Sequence, residues 1–134
     1  MFRSVGTLRY SPKALGDKAS PNWWLILDCD RELGRYYRHL YYLSNHKCHQ
    51  LMRPACAEHV TVIRNEEPAD QFKHLWEKYD NQEVEFLLRL EAETDGRYVW
   101  LPVECSFVLE IRAELGLSRE PEIPLHLSIG HGGS

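Results

Sequence analysis

No run of about 18 apolar residues occurs in this 134-residue chain, so nothing in it reads as a membrane span. The first residues, MFRSVGTLRYSPKALG, lack the apolar stretch of a signal peptide. These two absences point to the cytoplasm. Low-complexity tracts are missing too. With 43% apolar and 27% charged residues, the composition is that of a globular chain long enough to bury one core. We therefore expect a single domain over 1–134, with residues 1–21 as an N-terminal extension. The four cysteines (Cys29, Cys48, Cys56, Cys105) form no C-x-x-C pair, which argues against a disulfide scaffold and for reduced thiols filling a core. A broad basic face is also lacking. Net charge is −4, divided as +5 over residues 1–64 and −9 over 65–134. A protein that grips a long duplex shows more positive charge than this. The balance suits a small anionic ligand or one end of a nucleic acid.

What is present is an alternation of strand and helix signals. VGTLRY reads as a short strand, and WWLILD (23–28) as a compact buried one. Asp30 is placed to cap a helix that carries Leu33, Tyr36 or Tyr37, Leu40 and Leu43 at helical spacing. Residues 44–58 look irregular. EHVTVIR is strand-like through its β-branched content. After Pro68, Phe72, Leu75, Trp76 and Tyr79 predict a second amphipathic helix. VEFLLRLEAETDGRYVWLPV predicts a hairpin with a type I′ turn at Asp95-Gly96. Cys105, Val108, Ile111 and Leu115 predict a third helix, ended by Gly116 in a left-handed conformation. PLHLSIG is the last strand. The order is β-β-α-β-α-β-β-α-β. The predicted fold class is α+β: a bilobal, pseudo-symmetric fold with mixed or antiparallel sheets around a central groove.

Two of these strands carry the same tripeptide pattern. In HVTVI, alternation points His59, Thr61 and Ile63 one way, and Val60 and Val62 the other. In LHLSI, His126 and Ser128 point away from Leu125, Leu127 and Ile129. Each strand buries an aliphatic face and presents an imidazole beside a hydroxyl. If the two lie side by side, a cleft gains two histidines and two hydroxyls. That quartet suits phosphodiester chemistry. A neutral imidazole takes a proton from the attacking water or hydroxyl, and a protonated one gives a proton to the leaving oxygen. The hydroxyls donate to the non-bridging phosphate oxygens. No metal and no other cofactor is needed. One H-x-[ST] tripeptide is a weak signal. Two, each in an apolar strand after a helix and 67 residues apart, are a much stronger one.

On these residues the sequence resembles the two-histidine (2H) phosphoesterase superfamily. This group includes RNA 2′,3′-cyclic phosphodiesterases and phage enzymes that open cyclic nucleotide signals. Its two H-x-[ST]-x motifs stand here as His59-Val60-Thr61-Val62 and His126-Leu127-Ser128-Ile129. SFVLEIRAELGL, a short Pro-containing loop and PLHLSIG are similar to the family's C-terminal end, and the likeness spans roughly residues 22–131. The resemblance implies a metal-independent cyclic phosphodiesterase, a hydrolase, in which His59 and His126 are the acid/base pair and Thr61 and Ser128 hold the phosphate. It implies a nucleotide, a cyclic oligonucleotide or an RNA end as substrate, with no long duplex and no membrane as partner. The chain is shorter than usual cellular members, which suggests a compact, phage-like variant working in a host cytoplasm. The segment YSPKALGDKASPNWW matches nothing in the family pattern.

Two other readings compete. One is a nucleotide- or RNA-binding module on the same fold without turnover. The other is a small zinc-binding protein: His46, Cys48, His49 and Cys56 crowd with His59 into fourteen residues, a ligand set zinc favours. Against zinc, Cys48 and His49 are adjacent, and no familiar paired spacing occurs. Trp24 is the favoured groove tryptophan, since alternation puts Trp23 on the other face. Lys18 and Arg64 are candidate phosphate-steering cations. His39, His46, His49 and His74 belong to no motif, and His131 has the wrong parity to join His126.

Overall fold

The computed structural model describes residues 2–11, 22–30, 32–33, 35–37, 39, 51–52, 59–89 and 91–132; for 51–52 and 131–132 this covers the backbone only. Strands β1 (Phe2–Tyr10), β2 (Leu25–Asp28), β3 (Leu51–Met52), β4 (His59–Ile63), β5 (Glu83–Leu88), β6 (Glu93–Thr94), β7 (Tyr98–Glu104) and β8 (His126–Gly132) pair in the order β3-β8-β4-β2-β1-β5-β7-β6. Every pairing is antiparallel. A further pairing of β7 with β8 closes β8-β4-β2-β1-β5-β7 into a six-stranded barrel. Helical residues at 32, 33, 35–37 and 39 form α1, and Ser106–Glu114 form α2. The fold is thus α+β and mostly antiparallel. Among the described residues no helix is long and apolar enough to cross a membrane.

Alternation explains why the barrel holds together. One side of every wall strand is apolar: Leu8 in β1, Leu27 in β2, Val60 in β4, Phe86 in β5, Leu101 in β7 and Leu127 in β8 are all at most 1% exposed. A barrel of this size is filled by its own side chains. Closure also removes free sheet edges. Each half of the chain contributes four strands, β1–β4 and β5–β8, and in each a helix precedes the motif strand: α1 and β3 before β4, α2 before β8. The expectation of two similar lobes takes a different form here, because strands from both halves share one ring and one core cluster.

Several local expectations change. The segment after Pro68 is a short 3₁₀ turn, Asp70–Leu75, and not an amphipathic α-helix. The chain extends at Trp76 (φ −60°, ψ 139°) and turns left-handed at Glu77 (φ 71°). Packing overrides the spacing, because the two rings serve different neighbours. Trp76 packs edge-to-face on Tyr10 and Trp23 (4.9 and 5.2 Å), while Tyr79 packs on Phe107 (5.5 Å) and donates to Glu114 Oε2 (2.8 Å). At the Asp95-Gly96 turn only Gly96 has a positive φ (96°), whereas a type I′ turn needs two such residues. Asp95 instead accepts the backbone N–H groups of Tyr98 and Arg97 (2.8 and 2.9 Å), which hold its carboxyl below the usual range. Residues 51–52 of the stretch read as irregular form β3, which pairs with the end of β8.

Other expectations hold. Asp30 Oδ1 accepts the N–H of Glu32 at the start of α1 (2.9 Å). Gly116 ends α2 with φ +80°, and a Cβ there would sit 3.0 Å from the Phe72 ring. Cys29 and Cys105 are buried in the core, and burial pushes the Cys105 thiol pKa up.

Candidate functional site: the outer wall at beta4 and beta8

The two motif strands are neighbours in the barrel wall, joined antiparallel at Val60↔Leu127. Both residues of that pair are fully buried, so the flanking residues face outward. One step along the register, His59 stands opposite Ser128, and Thr61 opposite His126. All four are half-buried. Like groups therefore occupy opposite corners of a rectangle. Directly opposed positions have Cβ atoms about 5 Å apart, and diagonal ones roughly 7–8 Å. The two imidazoles thus lie on one diagonal and the two hydroxyls on the other.

Both motif strands are irregular at the same place. Between β2 and β4 the register passes from Leu25↔Ile63 to Ile26↔Thr61, which skips Val62. Between β7 and β8 it passes from Val99↔Gly130 to Trp100↔Ser128, which skips Ile129. Val62 and Ile129 are the fourth residues of their motifs. Each is an extra residue that raises the local twist just beyond the hydroxyl, a device common beside functional sites. The bulge corrects one orientation: Ile63 does not share the face of His59 and Thr61 but is fully buried beside Val62.

A bulge disturbs the ladder around its residue and leaves backbone groups in need of partners. The guanidinium of Arg112, itself fully buried on α2, meets that need at Val62. Its Nη1 donates to the Val62 carbonyl (2.9 Å) and to Glu66 Oε1 (2.7 Å), Nη2 donates to Glu66 Oε2 (2.8 Å), and Nε donates to the Ser118 carbonyl (2.9 Å). Hydrogen bonding from Arg112 holds the Glu66 carboxyl below its ordinary pKa, against the opposing effect of burial. This clamp ties the backbone just after Thr61 to α2.

Each histidine also has a tryptophan against it. Trp24 meets His59 edge-to-face at 5.9 Å, and Trp100 meets His126 at 6.1 Å. The tryptophans differ in exposure. Trp24 is 3% exposed, whereas Trp100 is half-exposed, with its indole N–H directed to Glu93 Oε2 (3.3 Å). Trp23, at φ 47°, turns instead onto Trp76, with Lys73 over its ring. The His126 ring is held by Nδ1–H donating to the Pro124 carbonyl (2.9 Å). A carbonyl only accepts, so the proton sits on Nδ1 and Nε2 is left to meet a ligand. On the β2 side, Asp28 stands opposite His59 and pairs with Arg9 (3.5 Å).

Of the other candidates, Arg64 is exposed one residue past β4. Lys18 lies outside the described residues, as do His46, Cys48, His49 and Cys56. Among the described residues no group of three or more His, Cys, Asp or Glu is arranged to hold a metal. Reading the sequence missed Trp100 and Arg112. Trp100 had a signal in its strand, since WLPV alternates and sets Trp100 on the outward face. Arg112 had only its position four residues after Val108, on the buried face of α2. No family model matches the chain, and no curated protein or solved structure is significantly similar to it.

Proposed function

We propose that this protein is a phosphodiesterase of the 2H type, acting on a nucleotide or RNA end by paired-histidine catalysis. The observation that carries this is the placement of the two H-x-[ST] motifs on adjacent strands, with histidines and hydroxyls at alternate corners. A phosphodiester set over the rectangle has an imidazole on each side. One takes the proton of the attacking water while the new P–O bond forms; the other protonates the leaving oxygen as the old P–O bond breaks. The products are a phosphomonoester and an alcohol. Thr61 and Ser128 donate to the non-bridging oxygens, where charge builds. The scissile bond is a 2′,3′-cyclic phosphate or a link in a cyclic oligonucleotide. In this reading the two halves, each ending on its motif strand, are the two similar lobes, and the outer face of β4 and β8 is the floor of the groove between them.

The test is turnover of a panel of 2′,3′-cyclic mononucleotides, cyclic oligonucleotides and short RNAs in EDTA. Hydrolysis of a panel member by the native protein, with no stoichiometric zinc by elemental analysis, is the expected result. Binding without turnover across the panel would leave a nucleotide-binding module. One zinc per chain would promote the cluster of His46, Cys48, His49 and Cys56.

A further inference from the structure

We infer that Trp100 and Tyr98 form a nucleobase shelf on the His126 side of the site, and that Glu93 makes it favour bases with amino groups. This rests on the reading of the quartet as a phosphate site and names what the rest of the ligand meets. Trp100 is directly opposite Ser128 in the ladder, one strand spacing of about 4.8 Å from that corner of the proposed phosphate site. Tyr98 lies two residues along the same outward face and is 46% exposed. The buried Val99 between them fixes both rings outward. Two rings in a row on one strand, with the Arg97 guanidinium over the Tyr98 ring (5.2 Å), are a stacking platform beside a phosphate site, and every base has a π-face to lay on one. Among the described residues, the tryptophan of the opposite flank, Trp24, is packed away against His59 and offers no such face. The base therefore goes to the His126 side.

Glu93 gives the shelf a preference. One carboxylate oxygen accepts from the Trp100 indole and pins the ring; Oε1 remains to accept from a base edge. A carboxylate offers no donor, so it favours edges that present amino hydrogens, as guanine, adenine and cytosine do, over the uracil edge, whose single N3–H is flanked by two carbonyl oxygens that repel it. The hairpin also sets a limit. Glu91, Glu93, Asp95 and Glu104 stand there against Arg89 and Arg97, with Arg89 paired to Glu104 (3.1 Å), and the net charge of −2 disfavours a further phosphate. The nucleoside on the shelf is thus a terminal one.

Calorimetric binding of guanosine, uridine and base-free ribose 3′-monophosphates tests this without requiring turnover. The native protein is expected to bind the guanosine compound more tightly than the uridine one, and both more tightly than ribose phosphate. Trp100→Leu and the exposed-site variant Tyr98→Ser should each weaken nucleotide binding by roughly 5- to 100-fold, the loss of one base–aromatic stack, and leave ribose phosphate unchanged. Glu93→Gln should narrow the guanosine–uridine difference. Equal affinity of the native protein for nucleotides and ribose phosphate overturns the shelf. So does unchanged nucleotide binding in folded Tyr98→Ser and Trp100→Leu. Shelf binding without hydrolysis of any phosphodiester sinks the enzyme reading alone.

Discussion

Replacing Arg112 tests how the bulge after Thr61 is held. Arg112→Ala leaves the buried Val62 carbonyl without its donor, at a cost of about 1–3 kcal/mol, and opens a cavity where the apolar stem lay. Removing one partner of a buried ion pair costs about 3–5 kcal/mol in all. The Glu66 side chain is 39% exposed, so water rehydrates the orphaned carboxylate and the lower end of that range applies. Arg112→Met keeps the stem and loses the bonds, so its cost should reduce to the carbonyl, about 1–3 kcal/mol. Glu66→Gln leaves the Val62 and Ser118 bonds intact, and as a partly exposed pair it should cost under about 1 kcal/mol. Urea unfolding of the three variants gives the order directly. If Glu66→Gln costs as much as Arg112→Ala, the ion pair dominates and the carbonyl argument is wrong. If Arg112→Met is as stable as the native protein, the Val62 carbonyl does not need its donor.

Acidification probes the same clamp. The Glu66 pKa is lowered in the folded state from its ordinary 4.5, so its contribution is present above that value and lost as pH falls through the lower folded value. The melting-temperature gap between native protein and Glu66→Gln should therefore begin to narrow as pH falls below 4.5 and close at the lower folded pKa. In the barrel interior, Leu127→Ala should cost about 2–5 kcal/mol through cavity formation, read by chemical denaturation. On the outward face Thr61→Val and Ser128→Ala delete, in the proposed mechanism, only hydrogen bonds to phosphate, so each should lower kcat less than the neighbouring histidine variant and leave the unfolding midpoint nearly unchanged.

The motif strands were legible because HVTVI and LHLSI are short, apolar on one side and rich in strand-forming residues, and antiparallel pairing then set their polar sides together. Helix α2 and its end at Gly116 were legible from helical spacing and a glycine stop. The bulges were not, since a single extra residue leaves the apolar pattern almost intact; only the consecutive Val62-Ile63 pair hints at it. Barrel closure depends on β1–β5, β4–β8 and β7–β8 pairings, and β4–β8 and β1–β5 join residues more than 60 apart that periodicity cannot link. The segment after Pro68 misled because its aromatic spacing fits a helix, while Trp76 and Tyr79 are drawn to different neighbours. Arg112 went unmarked because a lone sequence does not reveal that a bulged carbonyl waits beneath it.

The central claim is that His59 and His126 act together on one phosphate. The measurement is the pH profile of kcat/KM in EDTA, on the best substrate of the panel, for the native protein, His59→Ala, His126→Ala and the double variant. The account predicts a bell around neutral pH for the native protein, since one imidazole must be neutral and the other charged. Each single variant should lose about 10²–10⁴-fold, and the double variant less than the product of the two losses. Near-native turnover by either folded single variant would contradict the account, as would a native rate that climbs steadily through pH 9.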